Sequence, residues 1–266
     1  MVEMAKKGRT ALITGASEGI GRELARVMAK EGWNLVLVAR REEILTELAA
    51  GLIVEHGVKC AVIAVDLAEP ESVGMIAQKL RERNVAVDAL INNAGFGRYG
   101  LFADVDETAF RSMIEVNVTA LTNLTRAMLP GMIERKRGWV MNVGSTASFQ
   151  PVPFSAVYGA TKAFVLSFSE ALATELEGTG VTVTCVCPGV TETGFARVAG
   201  ASKQEVDFRG ALSAGEVARL GYAAMMKGKR TVVTGGMNAV LAFGTRLISR
   251  KMAAGIAFKL MKKRRS

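Results

Sequence analysis

An apolar run at Thr10–Thr14 passes directly into Gly15-Ala16-Ser17-Glu18-Gly19-Ile20-Gly21, and an amphipathic pattern opens at Gly19. This strand–turn–helix order constrains the chain more than any other feature. A Cβ at the three glycine positions would hold an anionic ligand away from the backbone and from the helix N-terminus, whose N–H groups favour negative charge. A glycine triplet alone is weak evidence, and its flanking elements give it weight. A sharp βα turn that binds nothing is the competing reading.

The remaining sequence repeats the alternation. Strands are predicted at Trp33–Ala39, Lys59–Val65, Ala89–Asn92, Trp139–Val143, Val181–Cys187 and Thr231–Val233. Helices are predicted near Gly19–Glu31, Glu42–His56, Glu71–Arg83, Thr108–Arg135, Val157–Glu177 and Ala214–Met226. The strands are continuous apolar runs, as expected when helices cover both faces of a sheet. The pattern predicts an α/β fold with a doubly wound parallel sheet of about seven strands. With no linker-like segment, residues 1–236 read as one domain followed by an extension, 237–266.

Composition excludes several classes. Half of the 266 residues are hydrophobic and 22% are charged, which rules out a disordered chain. Cys60, Cys185 and Cys187 make no CxxC pair and no disulfide framework, so they read as small buried hydrophobes in a reducing, cytoplasmic compartment. Cys185 and Cys187 fall on one side of a strand. A single histidine, His56, argues against a Ser-His-Asp hydrolase and a histidine-rich metal site, and no metal is expected. The segment Met1–Thr10 contains Glu3 and no apolar core, so no signal peptide is expected there.

The net charge of +9 is unevenly placed. Residues 1–245 hold 26 Lys and Arg against 25 Asp and Glu, while Arg246, Arg250, Lys251, Lys259, Lys262, Lys263, Arg264 and Arg265 supply the other eight charges. No acid follows Glu216. The body is therefore neutral and the end basic, with no nucleic-acid motif in the body and none expected as a partner.

The second strand ends in Val38-Ala39-Arg40-Arg41-Glu42. A dinucleotide site that selects NAD places an acid there for the ribose 2′-hydroxyl, whereas a guanidinium suits a 2′-phosphate. Arg40 therefore points to NADP(H) as cofactor. The competing reading makes Arg40 and Arg41 the solvated start of a helix.

Further motifs follow: Asn92-Asn93-Ala94-Gly95, Asn117, Ser145, Tyr158-x-x-x-Lys162 and Pro188-Gly189. Together with the glycine turn, in this order and spacing, they resemble the classical short-chain dehydrogenase/reductase family over residues 8–235. The resemblance implies a Rossmann-type sheet and assigns Asn117, Ser145, Tyr158 and Lys162 as catalytic. It implies cofactor contacts from Thr14, Gly15, Ser17, Gly19, Ile20 and Gly21 of the turn. Asp66 is implied at the adenine and Asn93, Ala94 and Gly95 beside the cofactor, with Tyr158 and Lys162 again. Pro188, Gly189 and Thr191 are implied at the nicotinamide and pyrophosphate. One departure stands out: Glu18 occupies the place where many NADP-preferring members carry a basic residue, so the NADP reading rests on Arg40.

Elementary chemistry gives the same residues a task. Tyr158 and Lys162 lie four apart on a predicted helix and share a face. A tyrosine ionises near pH 10, and a neighbouring ammonium is expected to lower that value. Tyr158 then gives a proton to a carbonyl oxygen or takes one from an alcohol, with the Ser145 hydroxyl bonded to the same oxygen. The expected function is an NADP(H)-dependent oxidoreductase interconverting carbonyl and alcohol. The alternative is a non-catalytic NADP-binding or scaffold protein.

Substrate walls are expected at Phe149–Phe154 and in the loop Thr191–Ala214, with Phe195, Val198, Val206 and Phe208. They favour a hydrophobic carbonyl compound, unless they only pack the loop onto the body. The resemblance implies a homodimer or homotetramer joined through Thr108–Arg135 and Val157–Glu177. In the extension, Leu241, Ile248, Met252, Ile256 and Leu260 set an interrupted helical stripe. Docking on protein is the favoured use of that stripe, and contact with an anionic membrane the other.

Overall fold

The computed structural model describes residues 8–200 and 210–263. The predicted wall residues Val206 and Phe208 and the terminal Arg264 and Arg265 lie outside them. Seven parallel strands form one sheet in the order β3-β2-β1-β4-β5-β6-β9. They are β1 Thr10–Thr14, β2 Asn34–Ala39, β3 Cys60–Ala64, β4 Ala89–Asn92, β5 Gly138–Val143, β6 Val181–Cys187 and β9 Thr231–Val233. Two short strands, β7 Thr191–Glu192 and β8 Leu212–Ser213, pair separately.

Order reverses between β1 and β4. Connections from β1 lead outward to β2 and β3, and the chain then crosses to β4 and winds the other way. No helix can fill the gap above that reversal, so a crevice opens at the strands' carboxyl ends.

Strand sequences such as Leu35–Val38 are wholly buried because both faces are covered. On one face α1 (Gly19–Lys30), α2 (Glu42–His56) and α8 (Ala214–Met226) bury Leu24, Met28, Leu45 and Met225 with Trp33. On the other, α3 (Ser72–Glu82), α5 (Leu121–Glu134) and α6 (Ala156–Glu175) bury Ile76, Leu124 and Leu172.

The predicted helix Thr108–Arg135 is three segments. It begins as α4 (Glu107–Ile114), capped by Asp106 accepting from the Thr108 N–H, continues as a π-helical stretch over Glu115–Ala120, and ends as α5. The π stretch carries one residue more per turn, which rotates Asn117 relative to a regular helix.

Polar groups inside the sheet are cross-linked. Asn92 donates to Thr125 and to the Asn142 carbonyl, Asn142 donates to the Ser169 hydroxyl, and Ser169 donates to the Val165 carbonyl at 2.6 Å. All four side chains are buried, and these bonds offset much of the cost of removing them from water, although the Asn92 Oδ1 has no partner.

The extension forms α9 (Gly236–Gly244) and α10 (Arg250–Lys263). Its stripe is interrupted by the break between them. The side that α10 buries is the small one, Ala253 and Ala257, while Met252, Ile256 and Leu260 stay exposed. Small residues let the helix lie close to the body.

Candidate active site

The glycine turn is tight for a stated reason at two positions. Gly15 sits at φ 65°, where side chains are strained, and a Cβ on Gly21 would come within 2.3 Å of the Gly15 carbonyl oxygen. Gly19 also has positive φ, at 57°. Neighbouring side chains staple the turn to β4. Thr14 accepts from the N–H groups of Asn93 and Ala94, and the Asn93 amide donates to the Thr14 and Gly15 carbonyls. Ile20 packs against the core beneath. The first turn of α1 carries no acid and no side-chain cap bond, and the Glu18 carboxylate at its N-cap pairs with Arg41. Those features fit a bound pyrophosphate.

At the end of β2 the two arginines diverge. Arg40 is largely exposed and lies 3.7 Å from the carboxylate of Asp66, two residues beyond β3. Arg41 reaches back over the turn, donating to the Ser17 hydroxyl at 3.0 Å and pairing with Glu18 at 3.0 Å. The sequence reading singled out Arg40 and passed over Arg41. Side chains leave a strand end in alternate directions, and that alternation was the available signal.

Across the crevice, β5 ends at Val143 and the chain turns at Ser145. The Ser145 hydroxyl accepts from the Ala147 N–H, and the Ser148 hydroxyl accepts from the Ser145 N–H and donates to the Lys162 carbonyl. Ser145 is thereby fixed to α6. Tyr158 stands in the first turn of α6, with its phenol near enough to Ser145 for that hydroxyl to act on its ionisation. Lys162, one turn on, is 5% exposed and donates to the Val143 carbonyl at 2.7 Å. Its Nζ is 5.9 Å from the centre of the Tyr158 ring.

Burial pushes the Tyr158 phenol up to about 12, partly offset by the Ser145 hydroxyl beside it. This corrects the expectation of a lowered value. The Lys162 ammonium is committed to a carbonyl, and burial in turn pulls Lys162 down to about 8. The phenol is therefore held as a proton donor at neutral pH.

The remaining assigned residues fall nearby. The Asn117 amide donates to the Phe96 carbonyl and the Thr161 hydroxyl, and its oxygen accepts from the Phe96 N–H. A Cβ on Gly95 would meet Asn117 and Lys162 together. Pro188 accepts from the Thr146 N–H, Thr191 donates to the Gly189 carbonyl, and Gly189 abuts Asn238 of α9. Cys185 and Cys187 are buried with sulfurs 3.6 Å apart beneath Gly144, in agreement with their reading as packing residues.

Beside Tyr158 opens a small cleft of about 40 Å³, lined by Arg98, Phe102, Val105, Phe110, Phe154 and Val157 among others. Phe195, from α7 (Phe195–Val198), packs on the Tyr158 ring at 5.4 Å between centres. Of the two expected walls, Phe154 and Phe195 reach the site, whereas Phe149 packs into the core. Residues missed by sequence reasoning include Arg98 and Tyr99. Arg98 donates to the Val198 carbonyl, and the Tyr99 hydroxyl donates to the Met261 carbonyl of α10 at 3.3 Å. Phe258 of α10 stacks on Phe154 at 5.3 Å.

A doubly wound sheet with a glycine cradle on one side of its crevice, and a tyrosine, serine and lysine on the other, defines a dinucleotide-dependent oxidoreductase. The chain belongs to the short-chain dehydrogenase family, whose model matches residues 9–204. It is 45% identical over 189 residues to sulfoacetaldehyde reductase 2 of Chromohalobacter salexigens, covering 70% of this chain and 74% of that protein. Its structure resembles a short-chain dehydrogenase from Sphingobium yanoikuyae in complex with NADPH, with a TM-score of 0.81, 33% identity and coverage of 90% and 94%. It also resembles a 7beta-hydroxysteroid dehydrogenase, with a TM-score of 0.84, 27% identity and 98% coverage of both chains.

Proposed function

We propose that this chain is an NADP(H)-dependent reductase of carbonyl compounds with an apolar body, working reversibly on the alcohol. The observation that carries the reading is the meeting of Ser145 and Tyr158 at the carboxyl edge of the sheet, with Lys162 one turn behind. When bound, the nicotinamide supplies or accepts the hydride. Tyr158 donates its phenolic proton to the substrate oxygen, and Ser145 orients that oxygen. Lys162 ties α6 to the end of β5 through the Val143 carbonyl and, as the resemblance implies, grips the ribose. Asn117 acts as a positioning residue that ties the Phe96 loop to α6 through Thr161.

The 2′-phosphate is assigned to the arginine pair, with Arg41 beside Ser17 and Arg40 beside Asp66. Aromatic walls at Phe102, Phe110, Phe154 and Phe195 support an apolar substrate, as does likeness to a protein named for a hydroxysteroid. Catalysis is assigned to residues 1–236 and the basic extension to 237–266. Exposed Ile114 and Phe164 on α4 and α6 support pairing with a second copy there. A monomer by light scattering at micromolar concentration would count against that pairing.

The test is NADPH consumption across a panel of aliphatic, aromatic and steroid ketones and aldehydes. Tyr158→Phe serves as control and should lose roughly 10²–10⁴-fold in turnover while still binding NADPH. Absence of turnover on every carbonyl class, with tight NADPH binding, would leave only the non-catalytic alternative.

A further inference from the structure

The extension leaves large apolar side chains in water. Met237, Val240, Leu241 and Phe243 of α9, Leu247 of the connection, and Met252, Ile256 and Leu260 of α10 are all exposed, Leu247 to 74%. Scattered exposed apolar residues are ordinary, but eight within 24 residues are not. Arg246, Arg250, Lys251, Lys259 and Lys262 are exposed among them, and the segment holds no acid to neutralise them. In α10 Ala253 and Ala257 are buried and Phe258 stacks on Phe154 of the body, which leaves the stripe Met252, Ile256 and Leu260 uncovered.

We propose that α9 and α10 form a docking surface for an anionic lipid bilayer, lying at its surface. Apolar side chains enter the boundary between headgroups and chains, and the cations meet lipid phosphates. Charge selects this occupant over the others. A second copy would bring the same unneutralised cations against these. A nucleic acid offers phosphates but no apolar layer for Leu247 or Met252. Among the described residues no helix is long and apolar enough to cross a membrane, so the contact is peripheral.

The docked surface adjoins the cleft. Phe258 stacks on Phe154, which lines the cleft, and the backbone of Met261 accepts from Tyr99. A bilayer held by α10 therefore borders the mouth through which an apolar carbonyl compound enters.

The test is co-sedimentation of the full chain with vesicles of pure phosphatidylcholine and of equal parts phosphatidylcholine and phosphatidylglycerol, at low and high salt. Two engaged cations at about 1 kcal/mol each correspond to roughly thirtyfold preference for the anionic vesicles. That preference should vanish at high salt and in a Lys251→Ala, Lys259→Ala, Lys262→Ala variant. Met252→Ser with Leu260→Ser should weaken binding about tenfold while NADPH binding, which reports folding, is unchanged. Equal partition onto both vesicles, or none onto either, overturns the proposal. So does a serine variant that changes from a larger to a smaller species in solution with vesicle binding unaltered, because the face then belongs to a second copy. No readout contains turnover, so the result is independent of the catalytic reading.

Discussion

The glycine turn and the C-terminal helices are opposites in how completely the molecule explains them. Around Gly15–Gly21 the polar groups of Thr14, Ser17 and Asn93 find partners within the chain, and a Cβ at Gly21 has no room. Around Met237–Lys262 apolar side chains face water, and a Cβ on Gly255 would meet nothing within 4 Å. The first region is specified by contacts inside the protein. The second keeps residues that cost solubility and return no internal packing. A region of that kind is accounted for by what lies outside it.

The sharpest way to break the contrast is Gly21→Ala. The added methyl meets backbone, which cannot swing aside, so the turn must distort. We expect a loss of roughly 1–3 kcal/mol in stability by thermal melting, with NADPH binding abolished. Normal melting and binding would mean the turn is slack after all.

Next in size are the arginines. Arg41→Ala should weaken NADPH about tenfold or more by calorimetry and leave NADH nearly unchanged, because one charge-assisted phosphate contact disappears. Arg40→Ala should show the same selectivity. Equal losses for both cofactors would place the phosphate elsewhere.

Lys162 gives a pH signature. Its folded value of about 8 lies below the ordinary lysine value of 10.5, so between them the unfolded chain binds more protons than the folded one. Unfolding free energy of the cofactor-free protein should therefore rise as pH increases from about 8 to 10.5, and Lys162→Met should remove that rise. Denaturant titrations across that window measure it. A fall in stability over the same range would reverse the assigned direction.

The smallest effect belongs to the other pole. Gly255→Ala in α10 adds a methyl to open space in a helix and should stabilise by at most about 1 kcal/mol. A destabilisation would show that this face already packs against something in solution.

Much of this was legible because the signals are periodic and local. The continuous apolar runs place β1, β4, β6 and β9 at their observed bounds, and the family motifs bring Ser145, Tyr158 and Lys162 to one edge. Less legible were features decided by three-dimensional enclosure. The π stretch over Glu115–Ala120 differs from a regular helix by a single shift of hydrogen-bond partner, which leaves no mark in hydrophobic spacing. The two-residue strands β7 and β8 pair across a long separation. Tyr158 rises instead of falling because of its burial, which the spacing of a lysine four residues away does not reveal. The extension's stripe was visible, yet its burial side was not, since alanines carry little hydrophobic signal.

The buried chain of Asn92, Asn142 and Ser169 has a consequence for precision. It works as an index mark between the sheet and α6. A helix held only by oily surfaces has several rotations of similar energy, whereas Ser169 must meet Asn142 at 2.9 Å or leave a buried amide unpaired. Slipping α6 by one residue turns every side chain about 100° around its axis. Tyr158 lies three turns upstream of Ser169 on that same rod, so the phase in which the phenol faces Ser145 is registered by amides in the core, well away from any bound molecule.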